Sequence, residues 1–190
     1  MTDLIQRAKA FAIHAHRDHK RKYTGVPYHT HLEEVANIVA SVTSDEEMIA
    51  AAWLHDTVED TATTIGDIEA AFGSTVAHLV WHLTDVSKPS DGNRAARKAI
   101  DREHLSHAHP DAKTIKLADL ISNSADIVVN DPKFAKVYLG EKYLLLPFLK
   151  EGDPTLFKTA SDQVDLYSKK LVYDLRGSDQ ARLGNPRGLT

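Results

Sequence analysis

Apolar residues recur at helical spacing along almost the whole chain, and this periodicity limits the possible folds more than any other feature of the sequence. In the first stretch Leu4, Ala8 and Phe11 lie three or four residues apart, which places them on one face of an α-helix. No later segment shows strand-type alternation that competes with its helical interpretation. The 190 residues suit one domain. The sequence therefore predicts a compact all-α bundle of roughly 8–10 helices.

Polar residues ahead of apolar runs predict where two of these helices begin. Thr30 followed by Glu33, and Ser44 followed by Glu47, have the spacing of a capping box. We expect the helix that follows Ser44 to continue unbroken to Asp60, because helical periodicity extends through that stretch.

The C-terminal part of the chain divides into a helix and a tail. Asp153 and Pro154 predict the start of the last helix, since aspartate is a favoured cap and proline fits the first helical position. We expect this helix to end near Arg176. Residues 177–190 are polar and contain glycine and proline, so the predicted organisation is one domain over residues 1–176 and a flexible tail over 177–190.

The composition excludes several classes of protein. The chain contains no cysteine, which excludes a disulfide scaffold, a thiolate zinc site and a cysteine nucleophile. Its net charge of -4 argues against nucleic-acid binding. No apolar run approaches the roughly 20 residues that span a bilayer, and the basic residues near the N-terminus follow the apolar ones, the wrong order for a secretory signal. We expect a cytoplasmic protein without membrane contact.

A run of polar residues after an apolar helix is the first candidate for chemistry. On a continuous helix His55 lies over Glu59, and Asp56 lies over Asp60. Three carboxylates and an imidazole near a core are costly unless a cation compensates their charge. The run therefore indicates a metal site, although a solvated helix end that carries an incidental charge cluster is an equal alternative.

Two further residues could complete such a site. His31 lies at the start of the second predicted helix, and Asp119 is the lone carboxylate in an apolar helix. By itself Asp119 also fits a surface position. Together with His55 and Asp56 these residues form a mixed nitrogen and oxygen set, which suits Mn²⁺, Fe²⁺ or Zn²⁺ better than Ca²⁺.

Four segments in a fixed order resemble one family. They are RKYTGVPYHTH (21–31), AAWLHDTVEDTATT (51–64), AFG (71–73) and KLADLISN (116–123). The chain resembles the HD-domain metal-dependent phosphohydrolases, in particular the hydrolase half of the RelA/SpoT alarmone enzymes and the small, stand-alone, Mesh1-like alarmone hydrolases. The resemblance covers roughly residues 1–150.

The resemblance implies an all-helical HD domain that binds Mn²⁺ and hydrolyses the 3′-pyrophosphate ester of (p)ppGpp to GDP or GTP and pyrophosphate. It implies that Glu59 and Asp60 position or deprotonate the attacking water. The remaining implied roles are metal ligation by His31, His55, Asp56 and Asp119, packing of Arg21 and Lys22 on the purine, and nucleotide contacts from Asn123 and Tyr138.

The motifs leave the substrate and the assembly open. Related enzymes could act on pppApp or NADPH, and a non-catalytic nucleotide-binding protein on the same scaffold is a further alternative. Lys113 or Lys116 could neutralise the polyphosphate. We assign His14, His16 and His19 to the end of the first helix, where positive charge is favourable. The last helix could pack on its own domain or form a homodimer.

Overall fold

Ten α-helices make up the fold within the described part of the chain. The computed structural model describes residues 2–183, and side chains through residue 170. Within these residues there is no strand, only one isolated bridge between Lys20 and Pro27, which confirms the predicted all-α class and helix number. The helices are α1 (Asp3–Ala15), α2 (His29–Ala40), α3 (Glu46–Leu54), α4 (Thr57–Asp60), α5 (Ile65–Phe72), α6 (Ser74–Leu83), α7 (Arg94–Ser106), α8 (Pro110–Asn130), α9 (Pro132–Leu145) and α10 (Pro154–Leu183).

Helix α3 is the centre of the bundle. All residues from Ala50 to Leu54 are buried, as expected for a helix that is apolar on every side. It packs on α1, α2 and α6, while α8 packs on α2, α9 and α10. Because α2 contacts both α3 and α8, the polar residues carried by these three helices meet at the middle of the fold.

The two predicted capping boxes are not formed. Helix α2 has no side-chain cap, and the hydroxyl of Thr30 donates to the carbonyl of Pro27. Helix α3 is capped by Asp45, not by Ser44, because the Asp45 carboxylate accepts the backbone N–H groups of the first turn, including that of Met48. A carboxylate one residue closer to the helix displaces the serine from this role.

The predicted continuous helix through Asp60 is interrupted. Helix α3 ends at Leu54, and α4 forms a separate single turn. Asp56 lies between them with φ -96° and ψ -2°, at the edge of the helical region. The hydroxyl of Tyr28 donates to the Asp56 carboxylate at 2.6 Å, so a contact between distant parts of the chain holds the residue at which the helix breaks.

The C-terminal helix begins as predicted and ends later. The Asp153 carboxylate caps α10 by accepting two backbone N–H groups. The helix continues to Leu183, past the predicted end near Arg176, because the single Gly177 costs only about 1 kcal/mol in a helix. Residues 184–190 of the predicted tail lie outside the described part of the chain. Among the described residues no helix is long and apolar enough to cross a membrane.

Candidate active site

The structure brings the four predicted metal ligands together. The Nε2 atom of His31 lies 3.6 Å from Asp56 Oδ2 and 3.4 Å from Asp119 Oδ1. The Nε2 atom of His55 lies 3.0 Å and 3.8 Å from the same two oxygens. These residues come from α2, the α3–α4 junction and α8. Two imidazoles and two carboxylates thus converge from segments that are far apart in the sequence.

The imidazole nitrogens that face this cluster have no other partner. His55 Nδ1 lies 2.8 Å from the Ala52 carbonyl, which can only accept a hydrogen bond, so Nδ1 carries the proton and Nε2 of the neutral ring carries a lone pair. The Nε2 atoms of His31 and His55 are buried and make no hydrogen bond of acceptable geometry. Lone-pair nitrogens beside carboxylate oxygens are a donor set that fits a divalent transition-metal ion.

The charges of the cluster also favour a cation. Burial alone would raise the pKa of Asp119, but Lys116 Nζ at 2.9 Å and the two histidines hold it well below its usual range. Burial opposes protonation of His55, yet the Asp56 carboxylate raises the pKa of this imidazole to about 9. Burial would also raise the pKa of Asp56, but the charge of His55 holds it below its usual range. Both carboxylates are ionised at neutral pH, and the negative charge that draws a proton to His55 also attracts a metal ion, which would displace that proton.

A cavity of about 320 Å³ opens onto the cluster. Four of the residues predicted for water activation and nucleotide binding line it, namely Glu59, Asp60, Asn123 and Tyr138. The same wall includes Asp56 and Asp119. Two of the predicted ligands and the predicted water-activating pair therefore line one space, which is large enough for a small molecule.

The pKa of Glu59 in this cavity suits a general base. Burial, and then the negative charge of Asp85, raise the pKa of Glu59 to about 7. The backbone N–H of Asp85 donates to Glu59 Oε2 at 3.3 Å and fixes the carboxylate. The pKa of Asp60 is also raised, by burial and then by the charge of Asp56. A carboxyl group with a pKa near neutrality is suited to accept a proton from water.

The predicted purine-binding residues lie beside the cavity. Arg21 donates to Asn123 Oδ1 at 3.2 Å and pairs with Asp126 at 2.9 Å, and it does not line the cavity. Asn123 in turn donates to Asp119 at 2.6 Å. Lys22 Nζ lies 5.7 Å from the ring centroid of Phe134, which does line the cavity. Arg21 is thus linked to Asp119 by the hydrogen bonds of Asn123, and Lys22 lies over the Phe134 ring of the cavity wall.

Two helix faces complete the cavity, and Tyr138 is the one residue of these faces that the sequence predicted. Arg94, Lys98 and Arg102 on α7 lie four residues apart, as do Tyr138 and Lys142 on α9, and all five line the cavity. The spacing of four residues could have pointed to these two faces in the sequence, since residues four apart lie on the same face of a helix.

The two lysines proposed for the polyphosphate lie in different places. Lys116 lines the cavity, whereas Lys113 is bound to Glu151 and to the Ser106 carbonyl, away from it. The cationic side of the cavity is therefore formed by Lys116 with the residues of α7 and α9, and Lys113 has no place in it.

His16 lies at the end of α1 as predicted, but it does not carry the positive charge expected there. Its side chain is buried, and its ring stacks on Tyr28 with centroids 5.0 Å apart. Tyr28 is the residue whose hydroxyl binds Asp56. His16 therefore belongs to the packing behind the ligand cluster, where burial lowers its pKa to about 4.

Comparisons with known proteins agree with this arrangement. The HD domain family matches residues 8–133. The guanosine-3′,5′-bis(diphosphate) 3′-pyrophosphohydrolase MESH1 of Danio rerio is 42% identical over 121 residues, which cover 62% of this chain and 65% of that relative. The enzyme of the same name from Drosophila melanogaster is 37% identical over 172 residues, which cover 89% of this chain and 83% of that relative.

A solved structure agrees with the sequence matches. It is described as a metazoan ortholog of SpoT that hydrolyses ppGpp, and it superposes with a TM-score of 0.78 at 28% identity, covering 87% of this chain and 96% of that one. The matched region of the HD domain family contains all four convergent residues. The chain belongs to the HD-domain family, within the branch that includes the MESH1 pyrophosphohydrolases.

Proposed function

We propose that the protein is a Mn²⁺-dependent hydrolase of the 3′-pyrophosphate of (p)ppGpp, which yields GDP or GTP and pyrophosphate. One observation carries the proposal: two buried imidazole nitrogens without partners face two ionised carboxylates at the wall of a cavity that also holds Glu59 and Asp60. The names of the relatives supply the substrate.

The ligand cluster would hold the ion. When bound, a divalent ion lowers the pKa of water and neutralises charge on a phosphoryl oxygen. The carboxylate oxygens and imidazole nitrogens suit Mn²⁺, Fe²⁺ or Zn²⁺, and we choose Mn²⁺ because the resemblance to the alarmone hydrolases implies it. The proposed ligands are His31, His55, Asp56 and Asp119.

Glu59 accepts the proton of the attacking water in this mechanism, and Asp60 orients the water from the adjacent position. The water oxygen forms a bond to the phosphorus next to O3′, the P–O3′ bond breaks, and O3′ takes up a proton as pyrophosphate leaves. Lys98, Lys116 and Lys142 on the cavity wall lower the energy of the negative charge that the polyphosphate brings.

We assign the nucleoside end to the side of the cavity between α8 and α9. Tyr138 lies in the wall and offers an aromatic face. Arg21 and Lys22 border this side through Asn123 and Phe134. Arg21 is planar and can stack on a purine once it leaves Asp126.

A substrate panel with product identification tests the proposal. Purified protein with Mn²⁺ should release pyrophosphate from ppGpp, and a chelator should abolish the release. Asp56→Ala should lose both bound Mn²⁺ and turnover. Absence of pyrophosphate from every alarmone would contradict the proposed activity.

Two other substrates belong in the same panel. Pyrophosphate from pppApp and not from ppGpp would keep the chemistry and overturn the guanine assignment. Release of inorganic phosphate from NADPH as the sole reaction would overturn the alarmone assignment. A cytoplasmic location and a homodimer stay predictions, and size-exclusion chromatography with light scattering tests the second.

A further inference from the structure

Helices α2 and α8 face each other with matched pairs of polar residues. Helix α2 carries His31 and, three residues later, Glu34. Helix α8 carries Asp119 and, three residues later, Ser122. Residues three apart lie on the same face of a helix, so each helix presents one proposed metal ligand and one further polar side chain to the other.

These further side chains form a chain of hydrogen bonds that ends at a proposed ligand. His31 Nδ1 lies 2.9 Å from Ser122 Oγ. Ser122 Oγ donates to Glu34 Oε2 at 2.8 Å. His31 and Ser122 are buried, whereas Glu34 is exposed. The chain therefore runs from the buried ligand cluster to a carboxylate at the surface.

The protons of this chain have one consistent arrangement. An ionised carboxylate can only accept, so the single hydroxyl proton of Ser122 points to Glu34. Ser122 Oγ then offers only lone pairs to His31, and Nδ1 of His31 must carry a proton. In the neutral ring Nε2 is left with its lone pair, and this is the atom that lies beside Asp56 and Asp119 without a hydrogen bond.

We propose that Ser122 and Glu34 are positioning residues that hold His31 in the tautomer and orientation required to bind the metal ion. The inference rests on the proposed metal site. Partners behind a ligand histidine raise the basicity of the ligand nitrogen and fix its ring. Here the partner is a serine oriented by a carboxylate from the same helix as the histidine.

The hydroxyl of Ser122 donates to Glu34 of α2 rather than to a carbonyl of its own helix. Buried hydroxyls in helices commonly donate to a carbonyl one turn back, as Thr114 of α8 does to Pro110. Ser122 instead reaches α2. Ser124, two residues later on the same helix, is buried and its hydroxyl has no hydrogen-bond partner, so it provides a matched control.

Titration of the apoprotein with Mn²⁺, read by the electron paramagnetic resonance signal of free Mn²⁺, tests the inference without any turnover. Ser122→Ala should weaken Mn²⁺ binding by about 10- to 100-fold. Ser124→Ala removes the same atom from the same helix and should leave the Mn²⁺ affinity unchanged.

Variants of Glu34 test the relay at an exposed position, where folding is not at risk. Glu34→Ala frees the Ser122 proton to turn towards His31, which favours the wrong tautomer, and should weaken Mn²⁺ binding several-fold. Glu34→Gln keeps an acceptor oxygen for the hydroxyl and should restore most of the affinity.

Two results would overturn the inference, and they are distinguishable. If Ser122→Ala binds Mn²⁺ as the wild type does while its Tm falls, Ser122 serves only the packing of α2 on α8. If the wild-type protein itself does not bind Mn²⁺, both the inference and the proposed metal site are wrong.

Discussion

At the scale of single residues, neighbouring carboxylates have opposite electrostatic environments. Lys116 keeps Asp119 ionised, while burial and Asp85 raise the pKa of Glu59 to about 7. An ionised carboxylate suits a metal ligand, and one that titrates near neutrality suits a base. These surroundings support the proposed division of roles between the two groups.

Replacement of Glu59 tests its role as the base. Glu59→Gln keeps the shape of the side chain and removes its ability to accept a proton, so kcat should fall by about 10²- to 10⁴-fold with Mn²⁺ binding retained. Glu69→Gln makes the same change at an exposed position of α5 and should leave kcat unchanged. A fully active Glu59→Gln variant would exclude the assignment.

The pH profile tests the influence of Asp85. Since Glu59 acts in its ionised form, kcat/KM should rise as the pH passes about 7. Asp85→Asn removes a negative charge, which lowers the pKa of Glu59 and should shift this rise to lower pH. Asp165→Asn, on the exposed side of α10, should leave the profile in place. An unshifted profile in Asp85→Asn would show that Asp85 does not set this pKa.

Site residues differ in how far the sequence predicts them. The segments that resemble the HD family contain His31, His55, Asp56 and Asp119, so the resemblance was enough to propose all four as metal ligands. Tyr28 and Ser122 were not identified as partners of the ligands, since their contacts join helices that are distant in the sequence. Such contacts depend on how helices pack, which local spacing does not encode.

At the scale of the elements, the turn between α9 and α10 is tightly packed against α8. A Cβ atom on Gly152 would lie 2.9 Å from Leu117 Cδ1 and 3.0 Å from the backbone nitrogen of Thr114. The backbone N–H of Asp153 donates to Thr114 Oγ1 at 2.9 Å. The start of α10 is therefore fixed by contact with α8, the helix that carries Asp119.

Two glycine substitutions separate this packing from helix propensity. Gly152→Ala should lower the free energy of unfolding by about 1–3 kcal/mol, because the backbone of α8 cannot move aside easily. Gly140→Ala, in α9 with no atom within 4 Å of the added Cβ, should raise it by about 0.5–1 kcal/mol. Urea denaturation measures both changes, and equal effects in the two variants would contradict the packing argument.

Local signals predict helix starts only where no nearby group competes. Thr64 precedes α5 and forms a capping box with Asp67. Ser44 has the same sequence signature, but Asp45 takes the position. The break at Asp56 was not predicted, because it coincides with a hydrogen bond from Tyr28 that no local pattern contains.

At the scale of the whole molecule, the ligand cluster links the two halves of the bundle. His55 and Asp56 follow α3, which packs on α1, α2 and α6. Asp119 lies on α8, which packs on α9 and α10. The all-α class was predictable because helical periodicity covers the chain. The convergence of these helices on one cavity was implied only by the family resemblance.

A bound ion should therefore stabilise the whole fold. At a Mn²⁺ concentration about 100-fold above Kd, binding adds about 2.7 kcal/mol to the stability, which should appear as a rise in Tm. Asp56→Ala should abolish this rise because it removes a ligand. A thermal shift of equal size in wild type and Asp56→Ala would place the Mn²⁺ elsewhere.

The position of the ion tests the central claim most directly. The measurement is an anomalous difference map at the manganese absorption edge from crystals grown with Mn²⁺. The account predicts a peak bounded by His31, His55, Asp56 and Asp119, within coordination distance of both Nε2 atoms. A map in which an active, Mn²⁺-loaded enzyme shows its peak at any other place would contradict it.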